Sequence, residues 1–173
     1  MKSDWRVYGK KADFKRLADK YSIDQVIARI IRNRDICGDS DIDMYLNGDI
    51  KDMHAPKDMK DAVVSVDIIE KKIKEKCRIR IIGDYDIDGI CSIYILYKGL
   101  LAAGADVDYV VPHRINDGYG INEHLIDNAL SDGIDTIITC DNGISAYSQV
   151  KYAKDNGMTV IVTDHHDVPF DMI

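Results

Sequence analysis

The chain has 173 residues, 46% of them hydrophobic and 31% charged, which is enough for one sizeable core and ordinary for a water-soluble domain. No apolar run approaches the roughly 18 residues of a membrane span, and Met1-Lys2-Ser3-Asp4-Trp5 lacks the apolar core of a signal peptide, so a cytoplasmic protein is expected. The net charge of −7 is uneven: residues 1–34 hold ten Lys/Arg and four Asp/Glu, the remainder 13 and 26.

The basic N-terminus reads equally well as a solvated surface or as a nucleic-acid contact. Much of the acid lies in short clusters such as Asp84-Tyr85-Asp86-Ile87-Asp88, which a bound divalent cation would neutralise. Cys37, Cys77, Cys91 and Cys140 are irregularly spaced and form no CxxC pair. Free thiols are expected rather than disulfides or a structural zinc site.

Residues 1–76 read as a helical N-terminal segment. Ser22-Ile23-Asp24-Gln25 has the form of a capping box, and Ile23, Val26, Ile27, Ile30 and Ile31 follow at helical spacing. A short helix is expected around Met44-Tyr45-Leu46. Beyond Pro56, residues Ala62, Val66, Ile69 and Ile73 mark one helical face.

From residue 77 the rhythm changes. Strands are expected at Arg78–Ile82, Val107–Val111, Asp135–Thr139 and Met158–Val162, with helices Ile90–Ala103, Asn122–Leu130 and Ser145–Asp155 between them. Short apolar strands alternating with helices mean βαβ units. The expected fold class is α/β, a parallel sheet flanked by helices, Rossmann-like, with the helical segment in front.

Each strand runs into a polar cluster. The first meets Gly83-Asp84-Tyr85-Asp86-Ile87-Asp88-Gly89 and the second Pro112-His113-Arg114-Ile115-Asn116-Asp117-Gly118-Tyr119-Gly120. The third meets Asp141-Asn142-Gly143 and the fourth Asp164-His165-His166-Asp167. In a parallel sheet these strand ends share one edge, where open α/β folds bind ligands. Asp86, Asp88, Asp141 and His165 would then bring three carboxylates and an imidazole together, a donor set suited to manganese and tolerant of magnesium or zinc. Two such ions could activate water for attack on a phosphoryl group.

Each cluster alone has a plainer reading: Asp141-Asn142-Gly143 as a helix cap, Asp164-His165-His166 as a polar loop, Arg114 as a surface charge. An EF-hand is excluded because its twelfth position, counted from Asp84, is Ile95 rather than Glu. Neither GxGxxG nor a P-loop occurs.

The clusters resemble the motifs of the DHH phosphoesterase superfamily: residues 83–89 the first, Asp141-Asn142-Gly143 the second, Asp164-His165-His166 the third. Within it, the Gly-Asp-Tyr-Asp-x-Asp-Gly form, the Pro112-x-Arg114 loop with Gly118-Tyr119-Gly120, Thr139-Cys140-Asp141-Asn142-Gly143-Ile144, Trp5 and Pro56-Lys57-Asp58-Met59 are similar to the RecJ-type members. That resemblance implies two divalent metal ions, Mn or Mg, with Asp86 on one, Asp88 and His165 on the other and Asp141 bridging. It implies that His166 stands beside the scissile phosphate and that Arg114, Asn142 and Gly143 meet substrate phosphates. Asp84 and Asp164 would bind metal or hold a ligand in place.

The activity implied is single-stranded DNA exonuclease, 5′ to 3′, in DNA repair and recombination, with helicase or single-strand-binding protein partners. The alternatives are a phosphodiesterase of oligoribonucleotides or cyclic dinucleotides, and a catalytically impaired nucleic-acid-binding protein. Two departures stand out. Ile82 occupies a position where many members have a His, and the chain stops before the fourth motif and the second, smaller domain. The expectation is therefore an N-terminal part, 77–173 being the first part of the catalytic domain, whose activity in isolation is open.

Overall fold

The computed structural model describes residues 4, 8–115 and 117–168. Trp5 and Asn116, quoted above with the motifs, lie outside them. The chain divides into two compact units, Met1–Asp58 and Met59–Ile173.

The first unit is helical. Helix α1 (Phe14–Tyr21) is capped by the Asp13 side chain, which accepts the Arg16 N–H at 2.9 Å. Helix α2 (Gln25–Asn33) is capped by Asp24, which accepts from Val26 N at 2.7 Å. The expected capping box is thus displaced. Ser22 takes the left-handed conformation that ends α1 (φ 54°), and Asp24 opens the next helix. Helix α3 (Asp39–Asn47) follows, and then two 3-10 turns, Ile50–Asp52 and Pro56–Asp58. Ala18, Ala28, Ile31 and Ile42 are buried, whereas Val26, Ile27 and Ile30 of the expected apolar stripe stay exposed.

The second unit begins earlier than the expected boundary at 76/77, because helix α4 (Ala62–Lys74) packs Ile68, Ile69 and Ile73 against the sheet. Val66, expected on that face, is exposed. Strands β1 (Arg78–Ile82), β2 (Asp106–Val110), β3 (Thr136–Cys140) and β4 (Thr159–Thr163) form one sheet in the order β2-β1-β3-β4. Every pairing is parallel, with Arg80 opposite Asp108 and Ile137, and Ile138 opposite Ile161.

Helices α5 (Ile87–Ala102), α6 (Glu123–Ser131) and α7 (Tyr147–Asp155) are the crossovers. The pleat sends alternate residues to opposite faces. Ile79, Ile81 and Ile138 join Ile93 and Leu100 of α5 on one side, while Ile82 and Ile137 join Ile126 and Ala129 of α6 and Ala153 of α7 on the other. Both faces are covered, as a parallel sheet requires.

The order has one reversal. From β1 the chain crosses to β2 on one side, then returns to β3 on the other. The loops after β1 and β3 therefore diverge at a topological switch point, where a crevice opens at the C-terminal edge of the strands. Among the described residues no helix is long and apolar enough to cross a membrane, and all four cysteines are free.

Candidate metal centre

The loop leaving β1 turns into α5 through Asp84, Tyr85 and Asp86. Asp84 is buried and its Oδ1 accepts the Tyr85 N–H at 2.7 Å. Asp86 is the N-cap of α5, its Oδ1 accepting Gly89 N at 3.0 Å. A cap needs one carboxylate oxygen, so the other remains available. Gly89 is required by close approach, since a Cβ there would lie 2.5 Å from the Asp84 carbonyl oxygen.

The loop leaving β3 carries Asp141, nearly buried at 8% exposure and in the left-handed conformation at φ 61°. The loop leaving β4 carries Asp164, His165 and His166. Asp164 organises that loop as an acceptor. Its oxygens take the N–H groups of Ile144 (3.0 Å), His165 (2.8 Å) and His166 (3.1 Å), and its Oδ1 lies 2.7 Å from the His166 ring Nδ1. Burial pushes the Asp164 carboxyl up, but these hydrogen bonds outweigh it and hold the group below its usual value. The same contact raises His166.

Two sets of donor atoms, each within 4.8 Å of one another, converge: Asp84, Asp86 and Asp141, and Asp141, His165 and His166. Asp141 belongs to both. Its carboxyl is pushed up, by burial first and then by the charge of Asp86, with His165 and His166 opposing. His165 Nε2 approaches Asp141 Oδ1 at 2.9 Å. The buried Oδ1 has no other partner. A buried carboxylate oxygen met only by an imidazole nitrogen, on a group gathered with two further carboxylates, fits a divalent cation.

Several expected residues take other places. Asp88 stands in the first turn of α5, exposed, and belongs to neither set, although it lines a cleft of about 590 Å³ with Asp141, Asp164 and His165. Asp84, expected to bind metal or hold a ligand in place, stands with Asp86 and Asp141 in one set. Ile82, where a further histidine ligand was considered, is fully buried in the core.

The Asn142 side chain, expected to meet a substrate phosphate, points inward. It is fully buried, donates to the carbonyls of Ile82 and Cys140 at 3.0 Å each, and accepts Ile121 N at 3.1 Å. It stitches β1, β3 and the β2–α6 loop together behind the site. Gly143 (φ 106°) lies against Thr139 Oγ1, 2.8 Å from where a Cβ would sit. Arg114 places its guanidinium 5.3 Å from the Tyr85 ring centroid. Cys140, also lining the cleft, has its thiol pushed up to about 12, by burial and then by Asp141. It stays protonated and is no nucleophile near neutral pH. Tyr119 was noted in the sequence only as part of a glycine-flanked motif, yet its hydroxyl reaches the Asp141 carbonyl.

A parallel α/β sheet with carboxylates and histidines gathered at its switch point defines a class of α/β domains with the donors for a metal ion at that edge. The comparisons place the chain within that class. Residues 78–173 match the model of the DHH family, N-terminal domain, and the chain belongs to the DHH family. It is 32% identical over 167 residues to the single-stranded-DNA-specific exonuclease RecJ of Bacillus subtilis, an alignment covering 96% of this chain and 21% of that protein. It is 43% identical over 103 residues to RecJ of Salmonella typhimurium, covering 59% and 18%.

The structure of RecJ from Thermus thermophilus in complex with Mn2+ superposes with a TM-score of 0.60 at 29% identity, covering 76% of this chain and 19% of that one. A manganese-bound exonuclease RecJ gives 0.57 at 38%, covering 61% and 27%. The chain spans about a fifth of the length of the curated relatives it matches.

Proposed function

We propose that this chain supplies the first part of the catalytic domain of a metal-dependent exonuclease that degrades single-stranded DNA from its 5′ end, in the cytoplasm, in DNA repair and recombination. Helicases and single-strand-binding proteins are the partners such work calls for. The observation that carries the reading is the nearly buried Asp141 carboxylate, shared by two donor sets at one sheet edge. The RecJ relatives support the substrate class.

Asp84, Asp86, Asp141 and His165 would hold the cations, manganese or magnesium, and Asp88 lies in the same cleft to complete a ligand set. When bound, such ions make water acidic enough to ionise near neutral pH and neutralise phosphoryl charge. The remaining work falls to side chains.

Asp164 accepts from Nδ1 of His166, so the proton there is fixed and Nε2 is left for the substrate. Held by Asp164, an imidazolium at His166 can stabilise charge on the phosphate and give its proton to the leaving oxygen. Arg114 can fork onto a neighbouring phosphate. Tyr85, beneath it, offers an aromatic face to a base.

The test is cleavage by the full-length protein of 5′-labelled and 3′-labelled single strands, a duplex and dinucleotides, with manganese or chelator. Release of mononucleotides from the 5′ end of single strands, abolished by chelator, is expected. Cleavage of dinucleotides alone would assign the site to the small-substrate phosphodiesterases.

A further inference from the structure

We propose that Tyr119 is a positioning residue of this site, its hydroxyl fixing the backbone of Asp141 and the ring of His166 relative to one another. The inference rests on the function proposed above and names a group that the sequence motifs leave without a task.

Asp141 must adopt a conformation that costs a non-glycine residue roughly 1–2 kcal/mol, and its peptide groups are held at both ends. Its N–H donates to the Thr163 carbonyl at 3.0 Å, from β4. Its carbonyl accepts the Tyr119 hydroxyl at 3.1 Å, from the β2–α6 loop. The direction of the Asp141 carboxylate follows from the two together, since a short side chain in a fixed backbone has few rotamers.

The hydroxyl has one proton, and the Asp141 carbonyl takes it. The hydroxyl oxygen rests against the His166 ring, 3.4 and 3.5 Å from its two nitrogens, a packing contact that leaves Nδ1 to Asp164 and Nε2 to the substrate. The two rings meet edge to face, with centroids 6.0 Å apart and planes at 88°. The His166 ring is also held at Nδ1 by Asp164. Tyr119 thus closes a frame in which the shared metal ligand and the phosphate-facing imidazole cannot move independently.

The loop is built to deliver it. Gly118 and Gly120 have φ of 76° and 66°. A Cβ at Gly120 would come within 3.1 Å of the Asn142 side chain, and that side chain holds the next residue, Ile121, by its N–H. The buried Asn142 therefore sets the loop that sets Tyr119.

The experiment compares wild type and Tyr119→Phe as full-length proteins. Phe keeps the ring and removes only the hydroxyl, so the melting temperature should stay within about 3 °C, since surface changes of this kind cost little. Manganese affinity, titrated with the metal alone, should weaken by roughly tenfold, as loss of a ligand-orienting partner does. On a single-stranded substrate kcat should fall by roughly 10–100-fold with KM within about twofold. In the metal-free proteins the 13Cε1 resonance of His166 should shift.

Unchanged kcat and metal affinity would overturn the proposal. So would a loss confined to KM, which would make Tyr119 a strand contact. If wild type cuts no single strand, the proposed function fails, while the manganese titration and the His166 resonance still decide the role of Tyr119.

Discussion

Asp164 holds His166 at two points, its Oδ1 accepting the backbone N–H at 3.1 Å and lying 2.7 Å from the ring Nδ1. A carboxylate can only accept, so the ring proton sits on Nδ1. The His166 pKa is raised above 6.5 and the Asp164 pKa lowered below 3.8 in the folded protein.

The signs define a window. The raised histidine contributes stability that is complete below its unfolded value and fades as pH rises through the folded one. The depressed carboxyl contributes above its unfolded value and fails as pH falls through the folded one. The pair therefore helps most between those two unfolded values. In chelator, the melting-temperature difference between wild type and His166→Gln should be largest near about pH 5–6 and shrink toward about pH 8–9. A difference that grows with pH would mean that the imidazole is buried neutral.

Asp141→Asn separates folding from metal binding. Asn tolerates the left-handed backbone better than most residues, so the melting temperature of the metal-free chain should change little. The substitution removes the charge shared by both donor sets. Manganese should then no longer raise the melting temperature, and strand cleavage by the full-length protein should fall to background. Retention of either would remove Asp141 from the centre of the site.

Much of this arrangement was legible in the sequence, for one physical reason. Five-residue apolar runs alternating with helices leave no economical fold except a parallel sheet, and a parallel sheet puts every strand-to-helix loop on one edge. That places residues 84–88, 112–120, 141–143 and 164–166 together before any coordinate is known.

What the pattern does not carry is where each side chain points. Asp84 and Asp88 lie on either side of Asp86 in the same acidic run, but the helix starts at Ile87. Its winding takes Asp88 out of the set that Asp84 joins. Asn142 looks like a polar loop residue, yet its neighbours turn it inward to satisfy three buried backbone groups. Ser22 satisfied a capping pattern that Asp24 satisfies better two residues on. Tyr119 gave no signal of its own, because its partner is a backbone carbonyl.

Gly89→Ala should loosen the first loop of the site. The added methyl meets backbone atoms of Asp84 at 2.5–2.7 Å, which cannot swing aside as a flexible side chain can. A cost of about 1–3 kcal/mol is expected, together with weaker manganese binding, since Asp84 and Asp86 move with the loop. Gly99→Ala in the same helix is the control. Nothing lies within 4 Å of its Cβ, so it should stabilise by about 0.5–1 kcal/mol. Urea denaturation of the two variants checks both signs.

Arg80 and Asp108 face each other across β1 and β2, two hydrogen bonds of 2.7 and 2.6 Å joining the guanidinium to the carboxylate, with Asp132 adding a third at 2.9 Å. The Arg80 side chain is 9% exposed and that of Asp108 36%. Asp108→Ala strands a nearly buried cation and should cost about 1–3 kcal/mol, the lower half being expected because Asp132 remains and the site is partly solvated. Arg80→Met removes the charge as well as the bonds and should cost less. If the two urea midpoints fell in the opposite order, the ion pair would be a net source of stability.

Arg114 supplies the last expectation. It sits in the loop after β2, exposed at the same sheet edge as the donor sets, with its guanidinium over Tyr85. A guanidinium is only a donor of hydrogen bonds and ligates no cation, so its removal should leave manganese affinity unchanged. Its charge and planar fork suit a phosphate of the strand rather than the reacting phosphorus.

In the full-length protein Arg114→Ala should therefore raise KM for single-stranded DNA by roughly 5–30-fold, one charge-assisted contact being about 1–2 kcal/mol, while kcat changes much less. The slope of log affinity against log salt should flatten by about one counterion, as the loss of one phosphate contact predicts. Arg114→Lys keeps the charge and loses the fork, so it should restore the salt slope but only part of the affinity. A fall in kcat with KM and salt slope unchanged would instead put Arg114 on the phosphate under attack.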